Sequence, residues 1–331
     1  MARLTKMIPG TLQRPGLLGK SATRSLQGGG VSCYRYRLTD PVLQASIRKY
    51  GILSPLVVSN AALPVVLEGH KRLHAAQALK LKEVPVLVAG KMDPRDAFLL
   101  NLISNWRGSC SDMDRAKALR MASEELGFKA ATLLSELMPL LGLPEDRGTL
   151  ELFLKLDQLP IVLKDLVESG QLPLRGAALL LKFSEADQVY FAQKIGTKMK
   201  LTSSQLLQAI EWLSDMLKNT GNSLEIFCRD HKILMGMNVP GMDLRTKADK
   251  LFARIKRLRF PNYSDYLEKF EEKTTGILHG TKGIRLEPIQ GFEEPGFELH
   301  TRLKTPEELD LLLRNIAERR SALNSLFEIM L

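Results

Sequence analysis

VVLEGHKRLHAA, residues 65–76, is the stretch from which the rest of the chain is read. Val65, Val66 and Leu67 form a short apolar run suited to a strand, and Leu73, Ala76 and Leu79 then repeat at helical spacing. Gly69 stands at the corner between them, where the missing Cβ lets a ligand come close to backbone amides. The helix opens on His70, Lys71 and Arg72. A helix N-terminus presents unpaired N–H groups and a positive dipole end, and three cationic side-chain types add to it. That is the chemistry of a phosphate site, with an ordinary strand–turn–helix and a solvated basic first turn as the plain alternative. His70 reads as a phosphate donor; His74, one turn later, reads as structural.

Composition bounds the function classes. A chain of 331 residues exceeds one typical domain, so two or three are expected. With 44% hydrophobic and 25% charged residues it has an ordinary globular composition, and no apolar run approaches the roughly 20 residues of a spanning helix. No membrane partner is therefore expected, and the scattered cysteines Cys33, Cys110 and Cys228 point to a reducing cytoplasm. Cys33, Cys110 and Cys228 lie far apart with no C-x-x-C pair, which argues against a disulfide framework and against a metal cluster. The net charge of +10 suits a polyanion partner. It is unevenly placed: Arg3, Lys6, Arg14, Lys20, Arg24, Arg35 and Arg37 fall in the first 37 residues without a single acid. Residues 1–33 also hold Pro9, Pro15 and the glycine run 28–30, so this segment is expected to be a basic flexible tail.

The flanks of the corner extend the pattern. Upstream, LQASIRKYGILSPLVVS (residues 43–59) reads as helix, Gly-Ile turn and apolar strand, with Asp40-Pro41 as the helix start. Downstream, EVPVLVAGKMDPRDAFLLNLISNWRGSCSDMDRAKALR (residues 83–120) reads as a strand, then a helix closing on Asn105-Trp106-Arg107, then a second capped helix. The order resembles the N-terminal domain of the ParB chromosome- and plasmid-partitioning family, which shares its fold with sulfiredoxin. The resemblance covers residues 36–120 and continues more weakly to about residue 180. It implies a nucleotide pocket, with CTP and Mg²⁺ as the ligand. Gly69, His70, Lys71, Arg72, Asn105, Arg107 and Ser54 are the positions it assigns to that pocket. Asn105 matches the family's Glu-Asn-x-x-Arg, whereas Ser104 replaces the Glu and Arg107 comes one residue early. Ser54 replaces the family's hydrolysis-linked Gln beside Pro55. Phosphate binding survives these changes; hydrolysis is expected to be weak or absent, so the chain is at most a slow CTPase.

The remaining chain gives an α+β multi-domain expectation: the tail 1–33, a small ParB/sulfiredoxin-like α/β domain at 34–110, an all-α domain at 111–220, and a small α/β region at 221–331. Residues 131–160 have the helix, Gly-containing turn and second helix of a helix-turn-helix, and Arg147 and Lys155 are its candidate DNA contacts. Its second helix also carries Glu145, Asp146 and Glu151, which favour a plain helical bundle. Lys218–Ser223 reads as a linker and Trp212 as core. RTKADKLFARIKRLR, residues 245–259, offers Lys250, Arg254, Lys256, Arg257 and Arg259 as phosphate contacts, the alternative being a solvated face. Two strands at 283–288 and 296–301 precede one long helix to Phe327, capped by Thr305 and Glu308. This small unit either packs on the helical domain or pairs with a second copy, as C-terminal domains do in the family. The resemblance also implies DNA and a ParA-type ATPase, the latter through the basic tail, as partners of a nucleoid-associated protein.

One alternative uses the same fold. Free-serine kinases have a Gly-His-His-Arg variant of the corner, close to Glu68-Gly69-His70-Lys71-Arg72, and there Glu68 would act as general base. The long helical region is what such an enzyme does not need. Sulfiredoxin chemistry needs a thiolate in the corner, and that place holds His70.

Overall fold

The computed structural model describes residues 17–90, 92–105, 110–237, 240–278, 284–289 and 296–328. The chain divides into two units, Met1–Thr197 and Lys198–Leu331.

In the first unit, β1 (Leu17–Ala22), β2 (Leu56–Ser59), β3 (Val66–Glu68) and β4 (Glu83–Ala89) form one sheet in the order β1-β4-β2-β3. β2 runs antiparallel to β3 and parallel to β4. Alternation decides which side is covered: Leu56 and Val58 of β2 and Val84 and Val86 of β4 are buried, two residues apart in each strand. Leu26, Leu73 and Ala76 close over them. Before β2 comes α1 (Pro41–Tyr50), whose N-cap Asp40 accepts from the Leu43 amide at 3.0 Å, as the Asp-Pro pair predicts. α2 (His70–Ala78) follows β3, and α3 (Pro94–Ser104) follows β4.

Residues 17–33 depart from the flexible tail expected of 1–33. Leu17–Ala22 pairs antiparallel with β4 along the whole register from Leu17↔Val88 to Ala22↔Glu83. Backbone ladder bonds need no side-chain periodicity, so this edge strand leaves little trace in its own sequence. Residues 1–16 lie outside the described residues.

α4 (Asp112–Arg120) carries a full capping box between Ser111 and Asp114. Then a helix broken by a π turn spans 130–140, and Gly142 turns the chain at φ +70° towards α5 (Arg147–Leu156), capped by Asp146. The helix–turn–helix order is therefore present. α5 buries Leu150, Phe153 and Leu156 and leaves Arg147, Glu151 and Lys155 exposed. α6 (Ile161–Glu168), α7 (Leu174–Leu180) and α8 (Glu185–Phe191) complete the unit. No break falls at the expected 110/111 boundary. The segment 35–37 is fastened to the helices instead, by Arg35 to Asp114 at 2.6 Å and by Tyr36 and Arg37 to Asp165 at 3.1 and 2.8 Å.

The second unit starts before α9 (Ser203–Thr220), not at the expected 220/221 boundary. Lys218–Ser223 is no linker: Gly221 at φ +66° ends α9, and Ser223 caps α10 (Leu224–Asp230). Trp212 of α9 stacks 5.2 Å from Phe252 and 5.4 Å from Phe260, which joins α9 to α11 (Leu244–Arg259). α12 (Pro261–Leu278) follows, then β5 (Ile284–Pro288) and β6 (Phe297–Thr301), an antiparallel pair. The expected long C-terminal helix is two helices, α13 (Pro306–Glu318) and α14 (Arg320–Phe327), broken at Arg319. Phe270, Ile277, Leu286 and Leu326 make the local core, and no residue of α13 is buried.

Candidate functional site

The site is the corner between β3 and α2. Gly69 adopts φ +99°, and a Cβ there would lie 3.2 Å from three atoms of the Arg72 guanidinium, so glycine is required twice over. Among the described residues no side chain caps α2, and its backbone ladder begins with the Leu73 amide on Gly69 O. The amides of residues 70–72 are thus the helix's orphan donors. They open on a cavity of roughly 200 Å³ walled by Gly69, His70, Lys71, Arg72 and Asn105, five of the seven residues assigned from sequence. Arg35, Leu43, Glu68 and Asn101 complete the wall.

Arg72 is held rather than free. Its Nη2 donates to both Glu68 oxygens at 2.5 and 2.6 Å, and its Nη1 donates to the Ser54 and Pro55 carbonyls at 2.6 and 2.7 Å. It ties the end of β3 to the start of β2. Ser54 enters through this carbonyl and does not line the cavity. Glu68, with both oxygens on one guanidinium, is not poised as a general base, which removes the structural ground for the kinase alternative. Lys71 reaches Asp40 at 3.5 Å and stays partly exposed.

His70 is 5% exposed, not a surface cation. Burial, and secondarily the charge of Lys117, lowers its pKa from 6.5 to about 4, so it is neutral at neutral pH. Its Nε2 lies 3.3 Å from Ser32 Oγ, whose own proton goes to Val66 O at 3.1 Å. With that proton committed, Nε2 is the donor and Nδ1 carries the lone pair. Nδ1 is buried and has no hydrogen-bond partner among the described residues.

The opposite wall is a polar chain. Asn101 Nδ2 donates to Ser32 O, and Asn105 Nδ2 donates to Asn101 Oδ1, each at 2.8 Å. Asn105 Oδ1 accepts from Arg35 Nη2 at 3.2 Å, and Arg35 Nη1 continues to Asp114 of α4 at 2.6 Å. Asp114 also accepts from the Tyr36 amide at 2.7 Å. Beside this chain, burial raises the pKa values of Tyr34 and Cys33.

Residues 41–106 match the family model of the ParB N-terminal domain. A probable chromosome-partitioning protein ParB from Vibrio cholerae is 30% identical over 228 residues, covering 66% of this chain and 70% of that protein. The chain belongs to the ParB family. Among solved structures, C-terminally truncated ParB from Caulobacter crescentus in complex with CTP-γ-S covers 54% of this chain and 99% of its own, at 21% identity and a TM-score of 0.26. The same protein complexed to the centromeric parS site covers 58% and 98%, at 19% identity and a TM-score of 0.35.

Within this ParB-family chain, Arg107 lies outside the described residues. Arg35 and Asn101 were missed. Asn101 had a signal, a polar residue inside the apolar run FLLNLI; Arg35 had none, because its segment reads as irregular. The candidate DNA cations of α11 differ from a free basic face. Arg254 donates to the carbonyls of Lys232, Ile233 and Met235, Arg257 pairs with Asp265 and Glu268, and Arg259 lies 3.8 Å from Asp215. Lys256 sits 4.8 Å from the Tyr263 ring centroid, which leaves Lys250, of the five candidates, as the exposed cation without such a partner among the described residues. Among the described residues, no group of three or more His, Cys, Asp or Glu is arranged to hold a metal ion, and no helix is long and apolar enough to cross a membrane.

Proposed function

We propose that this ParB-family protein holds a nucleotide triphosphate on the N-terminus of α2 and uses its occupancy as a switch for DNA engagement in chromosome or plasmid partitioning. The uncapped first turn of α2, opening on a cavity at Gly69, carries this reading. Orphan amides and the helix dipole favour phosphate oxygens, and Lys71 and Asn105 stand beside them as further donors. CTP is the nucleotide that membership of the family implies. Among the described residues Glu68 is the sole carboxylate of the cavity wall, and it is spent on Arg72, so Mg²⁺ would find its ligands on the nucleotide and on water. Arg72 serves chiefly to hold the corner in shape.

The polar chain from Asn105 through Arg35 to Asp114 supports the switch. A ligand touching Asn105 or Arg35 changes the pull on α4, where the helices begin. Those helices include α5, whose exposed Arg147 and Lys155 are DNA-contact candidates. A second copy would meet α13, where Leu309, Leu311 and Leu313 are 44, 59 and 56% exposed. The basic segment before β1 remains the candidate contact for a ParA-type ATPase, and DNA engagement would place the protein on the nucleoid.

Equilibrium titration of the full chain with CTP, ATP, GTP and UTP in Mg²⁺, with released phosphate followed over time, tests the proposal. CTP-selective binding with slow or no release is the expected result, given Ser54 and Ser104 where the family carries Gln and Glu. Failure of all four nucleotides to bind, or tight binding that survives Lys71→Gln with Asn105→Ala, overturns it.

A further inference from the structure

We propose that Asp40 is the resident counter-ion of the pocket at the start of α2, holding Lys71 until a phosphate group takes its place. The inference rests on the nucleotide reading of that pocket and concerns how the same site is regulated. Each cation of the cavity wall has a carboxylate partner: Arg35 has Asp114, Arg72 has Glu68, and Lys71 has Asp40. His70 adds no charge at neutral pH. An anion entering the cavity therefore meets cations whose charge is already matched, and it gains one of them as a partner only by displacing a carboxylate.

Geometry decides which pair yields. Arg35 and Asp114 lie 2.6 Å apart with side chains 10 and 7% exposed, so parting them leaves a buried charge. Arg72 and Glu68 lie 2.5 Å apart, 18 and 17% exposed, and two carbonyls hold the same guanidinium. Lys71 and Asp40 lie 3.5 Å apart, 36 and 31% exposed. An ion pair this long and this wet holds itself together least of the three. Lysine also suits exchange, because its ammonium is a point charge with rotatable donors on a flexible stem. Asp40 divides its oxygens between two tasks. Oδ1 accepts from the Leu43 amide at 3.0 Å and caps α1, and Oδ2 faces Lys71. The Leu43 amide, with Lys71 adding to it, holds the Asp40 carboxyl below the usual carboxylate range, so the counter-charge is present at neutral pH. Departure of Lys71 leaves the cap in place but unties the start of α1 from the first turn of α2. Occupancy of the pocket is thereby felt at α1 as well as along the polar chain to α4.

The test titrates the full chain with CTP in Mg²⁺ and compares wild type with Asp40→Asn, since asparagine keeps the cap and removes the charge. Asp93→Asn is the matched control: Asp93 caps α3 through the Asp96 amide at 2.9 Å, also ahead of a proline, and takes no part in the three cavity pairs. Asp40→Asn is expected to bind CTP about threefold to tenfold more tightly than wild type, and Asp93→Asn to match wild type within about twofold. In a Lys71→Gln background the same change at Asp40 is expected to shift affinity by less than about twofold, because the cation it holds is gone. Unchanged or weaker binding by Asp40→Asn, an equal gain in Asp93→Asn, or an equal gain without Lys71 overturns the exchange and leaves the nucleotide reading standing. Binding of CTP by neither wild type nor Asp40→Asn overturns both.

Discussion

Gly69→Ala tests the corner most sharply, because two separate costs meet at one atom. A residue with a Cβ at φ +99° pays about 1–2 kcal/mol of backbone strain. The same Cβ stands 3.2 Å from the Arg72 guanidinium, tighter than an ordinary carbon contact. Arg72 cannot yield freely, since it is tied to Glu68 and to two carbonyls. Moving it weakens a bidentate, half-buried pair, a further loss of about 1–2 kcal/mol. The total is about 2–4 kcal/mol, which shifts a urea midpoint by about 1 M or more at an m-value near 2 kcal/mol/M. Gly170→Ala is the control: it has φ +72° in the same unit and no heavy atom within 4 Å of its Cβ, so it carries strain alone. Urea denaturation followed by circular dichroism is expected to show Gly69→Ala as the more destabilised by about 1 kcal/mol or more. Equal midpoints for the two variants refute the claimed contact between the corner and Arg72. Nucleotide affinity in the same variant is expected to fall at least about tenfold, because the added carbon also crowds the first-turn amides.

Three further outcomes follow from the geometry. His70 has a pKa near 4 in the fold against 6.5 when unfolded, so the unfolded chain binds the extra proton between those values. Its stability contribution is complete above pH 6.5 and is lost as pH falls towards 4, by about 3 kcal/mol; His70→Gln should flatten that part of the stability–pH curve, and an unaltered slope counts against the buried neutral ring. Asp114→Ala removes the carboxylate that pairs with Arg35, a pair only 10 and 7% exposed, and should destabilise the first unit by about 3–5 kcal/mol, while adding Arg35→Met recovers part of it in a double-mutant cycle; strict additivity rejects the coupling. Arg254→Ala removes donors from three carbonyls and should lower the thermal midpoint of the second unit, with a loss of about 1–2 kcal/mol, whereas Lys250→Ala should leave it unchanged; equal midpoints reject the capping role.

What the sequence determined by itself was local. Asp40, Ser111 and Thr305 are caps because a short polar side chain ahead of a helix meets amides three residues on, and each does so. Gly69 could be read as a corner because its neighbours change from strand to helical periodicity there. The grouping of Gly69, His70, Lys71, Arg72 and Asn105 followed from resemblance, and the cavity gathers all five. Tertiary structure decided the rest, wherever a residue's role depends on a partner distant in the chain. Leu17–Ala22 is a strand only because β4 offers a ladder. Arg35 joins the site through Asn105, seventy residues away, and is anchored to Asp114, seventy-nine residues away. His70 was a candidate cation until burial made the charged form costly, and the Nη1 and Nη2 donors of Arg72 are engaged by Glu68 and two carbonyls that the sequence does not announce. Charge and spacing are written in the sequence. Whether a charge is free, paired or extinguished depends on what folds against it.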